Sequence, residues 1–282
     1  MQISYKIISD YNNWSLGLLR GYKILSEMLS FKKNITPGKV LMILGCQRSG
    51  TSLIYWIFER DLNTKIYREK SKLTSHDPEK LRLNSYQFIQ KEIYKHNANL
   101  IIMKPLVESQ NAITLLNSIR NSKVLWMYRN YNDVISSNLK AFGVGNGIKD
   151  LLPIIKNQIT NWRCENISDE TKSIISKYFS ETMNPFDAAA LFWLVRNRLF
   201  FENKLYENEK IMLFKYEDLV SNPEKSMRRI YKFVDCKFPG NKIIKSVHSK
   251  SIGKGTNVKL TSGIKQLCEV LLYKMDSIYS AL

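Results

Sequence analysis

Nothing in this 282-residue sequence approaches the roughly 18 apolar residues that a membrane-crossing helix needs. The best run, Val40 to Leu44, has the length of a strand. Met1 to Ile8 lacks the long apolar region and small-residue cleavage site of a signal peptide. Cysteine is scarce and scattered: Cys46, Cys164, Cys236 and Cys268 form no CxxC and no Cys/His pair with metal-ligand spacing. Four such residues read as thiols in a reducing compartment, so a cytoplasmic location is expected. The three histidines, His76, His96 and His248, lie too far apart in sequence to suggest a metal cluster. No repeat, low-complexity tract or Pro- or Gly/Ser-rich linker interrupts the chain, so residues 1–282 read as a single domain.

What is abundant is apolar surface and positive charge. Hydrophobic residues make up 44%, enough for a sizeable core. Lys+Arg number 43 against 25 Asp+Glu, a net charge of +18. Such a balance calls for an anionic partner: nucleic acid, a membrane surface or an acidic small molecule. The cations are spread along the chain and not clustered among aromatics, which argues against specific nucleic-acid binding.

Residues 1–37 carry Leu18, Leu19, Tyr22, Ile24, Leu25 and Leu29 at helical spacing, a lead-in that ends at Pro37-Gly38. Continuous apolar runs then alternate with amphipathic stretches. Strands are expected at Lys39–Gly45, Thr64–Tyr67, Asn99–Lys104, Lys123–Tyr128 and Lys210–Lys215. Helices are expected at Ser49–Asp61, Ser85–His96, Gln110–Arg120, Tyr131–Phe142, Phe186–Tyr206, Pro223–Val234 and Thr261–Ala281. Residues 143–184 read as irregular or helical, and 143–185 as an acceptor-side insertion. The alternation implies an α/β three-layer sandwich around a central parallel sheet, with ligands at the C-terminal strand ends.

The motifs fall at those ends. Gly45-Cys46-Gln47-Arg48-Ser49-Gly50-Thr51-Ser52 follows the first strand and opens a helix. Glycines let the backbone curl, N–H groups converge, and the helix start adds positive charge, which together make a phosphate loop. The usual P-loop lysine is replaced by Thr51, and Arg48 supplies a cation two residues before Gly50. Arg129 ends a later strand, where a guanidinium can hold a terminal phosphate bidentately, and Ser137 lies two turns into the next helix. Arg129 is alternatively an ion-pair partner of Asp133.

Arg48-Ser49-Gly50-Thr51-Ser52 resembles the 5′-phosphosulfate loop of sulfotransferases that use PAPS (3′-phosphoadenosine 5′-phosphosulfate). Tyr128 to Ser137 resembles that family's 3′-phosphate motif, and Lys215-Tyr216-Glu217-Asp218-Leu219 followed by Pro223 resembles its YEDL stretch. The likeness extends over about residues 39–281 and implies the P-loop-like sulfotransferase fold. It also implies PAPS as donor, PAP as product and no required metal. Donor-binding residues would be Gln47, Arg48, Ser49, Gly50, Thr51, Ser52, Arg129 and Ser137, with Ser251 and Lys265 closing over the nucleotide.

Sulfuryl transfer needs cations at the leaving oxygens and a base for the acceptor's proton. Arg48 is one cation. Lys104 ends the third expected strand, 25 residues before Arg129, a separation similar to that in tyrosylprotein sulfotransferases. The histidine that cytosolic members carry two residues after this lysine is Leu106 here. Glu69 resembles in placement the Glu used by Golgi-type and many bacterial members, which assigns catalysis to Arg48, Glu69 and Lys104, with Glu108 and His76 as alternative bases. The cytosolic adenine-stacking Trp is Leu53, leaving Trp193 or main chain for adenine, while Trp56 reads as core. Lys254-Gly255 resembles a segment of the cytosolic branch; Ser251 with Lys265 better resembles the tyrosylprotein branch.

The acceptor, whether glycan, lipid or peptide, is expected at residues 68–98 and 143–185, and the charge is compatible with peripheral membrane contact. Two rival classes stand beside the transferase: a P-loop kinase or NTPase, which the missing loop lysine and the absence of a strand ending in Asp disfavour, and a non-catalytic polyanion-binding relative.

Overall fold

The computed structural model describes residues 17, 21, 23, 25, 38–74, 79–96 and 98–281. Most of the expected helical lead-in, and His76, lie outside these residues; 17, 21, 23 and 25 are helical.

Five strands form one sheet: β1 (Lys39–Gly45), β2 (Thr64–Tyr67), β3 (Leu100–Met103), β4 (Ser122–Tyr128) and β5 (Ile211–Lys215). Their order is β2-β3-β1-β4-β5, and every pairing is parallel. The register places Leu41 between Ile102 of β3 and Lys123 of β4. Alternation along each strand decides which face a side chain serves. Val40, Met42 and Leu44 join Ile101, Val124 and Trp126 in one core. Leu41 and Ile43 join Ile102, Leu125 and Met127 in the other. Both faces are apolar because both are covered, which explains the continuous runs in sequence.

The helices are α1 (Thr51–Glu59), α2 (Tyr86–Ile93), α3 (Ala112–Ser118), α4 (Tyr131–Phe142), α5 (Asn146–Ile155), α6 (Asp169–Tyr178), α7 (Pro185–Glu202), α8 (Tyr216–Ser221), α9 (Pro223–Phe233) and α10 (Ser262–Ala281). On one face, α1 and α9 bring Ile54, Phe58, Met227 and Ile230 onto the sheet. On the other, α2, α4, α7 and α10 contribute Ile89, Ile135, Phe192 and Met275. The layers are therefore the expected α/β sandwich.

Several boundaries differ from the sequence reading. The stretch expected as one helix over Gln110–Arg120 divides into a 3-10 turn at Leu106–Asn111 and the short α3. The turn is tied to the sheet by Ser109, whose hydroxyl accepts from the amide of Gly45 at 3.1 Å. Residues 143–184 contain two helices, α5 and α6. Pro153 sits inside α5, and burial of Leu151 and Ile154 outweighs its helix-breaking tendency. Gly147 lets α5 lie flush on α7, since a Cβ there would come within 2.7 Å of the Ala188–Ala189 backbone.

Connections from β1 lead to one side of the sheet and the chain later crosses to the other, so the strand order reverses at β1 and β4. Crevices form at the C-terminal ends of strands at such a reversal, and the loops after β1 and β4 carry Arg48 and Arg129.

Candidate active site

The phosphate loop turns through two left-handed residues, Arg48 (φ 67°) and Gly50 (φ 90°), before α1 begins at Thr51. The helix therefore starts two residues later than expected. Alternating backbone sense of this kind points consecutive N–H groups into one concavity. Gly50 is required twice over: its φ is positive, and a Cβ would overlap the ring of Tyr216. The hydroxyl oxygen of Ser49 is buried and has no hydrogen-bond partner. A buried hydroxyl left unsatisfied is costly, and a bound oxyanion would complete it. Below the loop, burial pushes the Cys46 thiol up to about 12, so this cysteine remains a neutral packing residue.

A cleft of about 580 Å3 opens beside the loop, lined among others by Gln47, Arg48, Thr51, Ser52, Glu69 and Lys104. Lys104 Nζ donates to Ser52 Oγ at 3.1 Å and pairs with Glu69 Oε2 at 3.2 Å. A hydroxyl of α1, the lysine beyond β3 and the carboxylate beyond β2 thus meet at one point, as parallel strands with aligned ends allow.

Arg48 donates through Nε to Ser137 Oγ at 2.9 Å and lies over the ring of Phe142. Arg129 is nearly buried. It pairs with Asp133 at 3.2 Å, sits 4.3 Å above the Tyr216 ring, and donates to the carbonyl of Ser251. Its Nε is buried without a partner. The ion pair and an anion role are therefore compatible, since Asp133 and Ser251 occupy only part of the guanidinium. Asp133 also accepts from the amides of Gly253 and Gly255 at 3.0 and 2.8 Å, anchoring the 251–255 segment over the site. The Ser251 hydroxyl shares a hydrogen bond with that of Tyr216.

Three expectations on individual residues need correction or restriction. Trp193 is 1% exposed and donates through Nε1 to the carbonyl of Arg129, so it braces the β4 end and offers no face to adenine. Lys265 projects from α10 into solvent opposite Glu269, at 3.6 Å, outside the residues lining the cleft. Glu108 is buried and held by Arg82 at 2.7 Å and by the Leu83 amide, which removes it as a base facing the cleft.

The sequence reading missed the opposite wall. Asp150 of α5 accepts from Arg163 Nε at 2.7 Å, Asn146 Nδ2 at 2.7 Å and Gln47 Nε2 at 3.3 Å. Burial pushes its carboxyl up, and the Arg163 charge and these donors pull against that. Arg163 stacks on Trp162, and the buried Arg196, its guanidinium held down to about 10 by burial, donates to Gln110 and the Leu106 carbonyl. No motif marks these residues. The only available signal is that Asn146, Asp150, Trp162 and Arg163 are polar or aromatic residues in an otherwise unassigned segment.

The sulfotransferase domain model matches residues 39–255, most of the chain, and the protein belongs to that family. Among solved structures, the sulfotransferase domain of the Synechococcus PCC 7002 olefin synthase superposes with a TM-score of 0.52 at 15% identity, covering 86% of this chain and 97% of that one. The sulfotransferase domain from the curacin biosynthetic pathway gives 0.51 at 14% identity, covering 86% and 98%. At these identities the likeness is one of fold. No curated protein is a significant match.

Proposed function

We propose that this sulfotransferase takes a sulfuryl group from PAPS and delivers it to a hydroxyl or amine of an acceptor, releasing PAP. The observation that carries the reading is the meeting of Lys104, Ser52 and Glu69 beside a phosphate loop whose Ser49 hydroxyl is buried and unpartnered. Ser49, Gly50, Thr51 and Ser52 would hold the 5′-phosphosulfate through backbone amides and hydroxyls. Arg129, with Ser137, would hold the 3′-phosphate, and the unpartnered Nε of Arg129 fits that use. When bound, the donor supplies the activated sulfuryl group. Arg48 and Lys104 place positive charge where the leaving phosphate gains negative charge. Glu69 takes the proton that leaves the acceptor hydroxyl as its oxygen bonds to sulfur. The wall formed by Asp150, Trp162 and Arg163 would face the acceptor.

The test is calorimetric titration with PAP, followed by transfer from radiolabelled PAPS to pooled glycan, lipid and peptide acceptors. Saturable PAP binding with label appearing in one pool is the expected result. Divalent-dependent ATP turnover without PAP binding would overturn it in favour of a kinase or NTPase.

A further inference from the structure

The cleft does not account for the charge of the chain. Its lining carries five Lys and Arg against three acids, with Lys104 facing Glu69 and Arg163 facing Asp150. The surplus is concentrated elsewhere. Residues 223–254 contain nine Lys and Arg against two acids, Glu224 and Asp235, in a chain whose total excess is 18.

Part of this segment lines a second concavity, a groove of about 950 Å3 between the start of α9 and the 3-10 turn Asn241–Ile244. Lys225, Arg228, Lys242 and Lys245 line it and are exposed. Glu224 is the one acid among its lining residues, and it is already occupied by Arg228 at 2.8 Å and Asn241 at 2.7 Å. Lys225, Lys242 and Lys245 have no ion-pair partner among the described residues. Neither wall can turn its cations away. Met227, Ile230 and Tyr231 of α9 are buried in the core and aim Lys225 and Arg228 outward, while buried Ile243 and Ile244 do the same for Lys242 and Lys245 at the 3-10 turn. The groove lies near the phosphate loop: α8 begins at Tyr216 against Gly50 and ends at Ser221 on the groove, a span of about 7.5 Å at helical rise.

The lining selects among polyanions. It contains no aromatic residue on which bases could stack, as single-stranded nucleic acid requires. None of the exposed large hydrophobic residues among the described residues belongs to it, so its lining offers nothing to insert into a bilayer. Ser221 and Asn222 add neutral groups suited to hydroxyls. A concave track of unpaired lysines with small polar groups fits a linear, hydroxyl-rich polyanion.

We propose that this groove docks an acidic polysaccharide and holds that chain beside the transfer cleft. Its use in sulfuryl transfer rests on the function proposed above; the binding itself does not. The test measures binding of a size-defined heparin oligosaccharide to the full chain at low and physiological salt. It compares a groove triple variant, Lys225→Glu, Lys242→Glu and Lys245→Glu, with a control carrying the same charge change at Lys91, Lys210 and Lys274, all exposed. The groove variant is expected to bind at least about tenfold more weakly at low salt, and the control within about threefold of the unmodified protein. PAP affinity and melting temperature should stay unchanged in both. Equal losses in the two triples would reduce the effect to net charge and overturn the proposal, as would full retention in the groove variant. Tighter binding to phosphatidylserine vesicles than to heparin, lost in the groove variant, would replace the polysaccharide with a membrane and also overturn it. Heparin binding without PAP binding would leave the groove standing and sink the donor assignment; the reverse result would separate them the other way.

Discussion

At the candidate active site, Asp150 is 3% exposed and takes three donors, Lys104 is shared between Ser52 and Glu69, and Arg129 is clasped by Asp133, Tyr216 and Ser251. In the groove, Lys225, Lys242 and Lys245 stand in solvent with no ion-pair partner among the described residues. The same residue types thus operate in two electrostatic regimes. Buried charges are screened little, and each depends on a few fixed partners, so removal of one is felt strongly. Exposed charges are screened by salt, contribute little singly, and act as a field. Recognition of a compact, multiply charged donor suits the first; capture of a long polyanion suits the second.

The largest expected contrast comes from Glu69→Gln. It should lower the rate of transfer by about 10²- to 10⁴-fold, the range for loss of a general base, while PAP affinity stays near that of the unmodified chain. Pre-steady-state transfer and calorimetry read the two quantities, and an unchanged rate would remove Glu69 from the mechanism. Arg129→Ala comes next. It strips the nearly buried Asp133 of its cation and should cost about 3–5 kcal/mol of stability together with most of the PAP affinity. A thermal melt and a PAP titration check this, and intact affinity would place the 3′-phosphate elsewhere. Asp150→Ala should cost less, about 1–3 kcal/mol, because Arg163 is partly exposed and can turn to water. Its loss should persist in high salt, and a loss that vanished there would put the cleft wall in the same regime as the groove. The smallest effect is that of Lys242→Glu alone, at most about 1 kcal/mol in polyanion binding and close to nothing above about 0.5 M salt. A single substitution that abolished binding would make the groove a specific pocket and end the contrast.

Charge partnership was the least legible feature in the sequence. The 43 cations read there as dispersed, and only the fold of 223–254 shows three of them gathered and unpaired in one groove. Local motifs were far more legible. Gly45, Arg48, Ser49 and Gly50 announce the loop because its backbone sense demands glycine and its ligand demands donors. Arg129 and Asp133 were readable as a pair one helical turn apart, though nothing showed that Asp133 also grips the amides of Gly253 and Gly255, 120 and 122 residues away. Trp193 misled for a related reason. An indole near a site can face ligand or core, and only the packing of α7 against β4 decides which.

The strand runs, the phosphate loop, the arginine after β4 and the sandwich of parallel sheet between helices were determined by the sequence itself, since period, turn chemistry and burial are local consequences of residue type. The tertiary structure alone decided which side chains meet. Glu69 with Lys104, Gln47 with Asp150 and Tyr216 with Gly50 are separated by 35, 103 and 166 residues. Coulombic and hydrogen-bond energies depend on distance through space, which the chain acquires only when its strand ends are aligned.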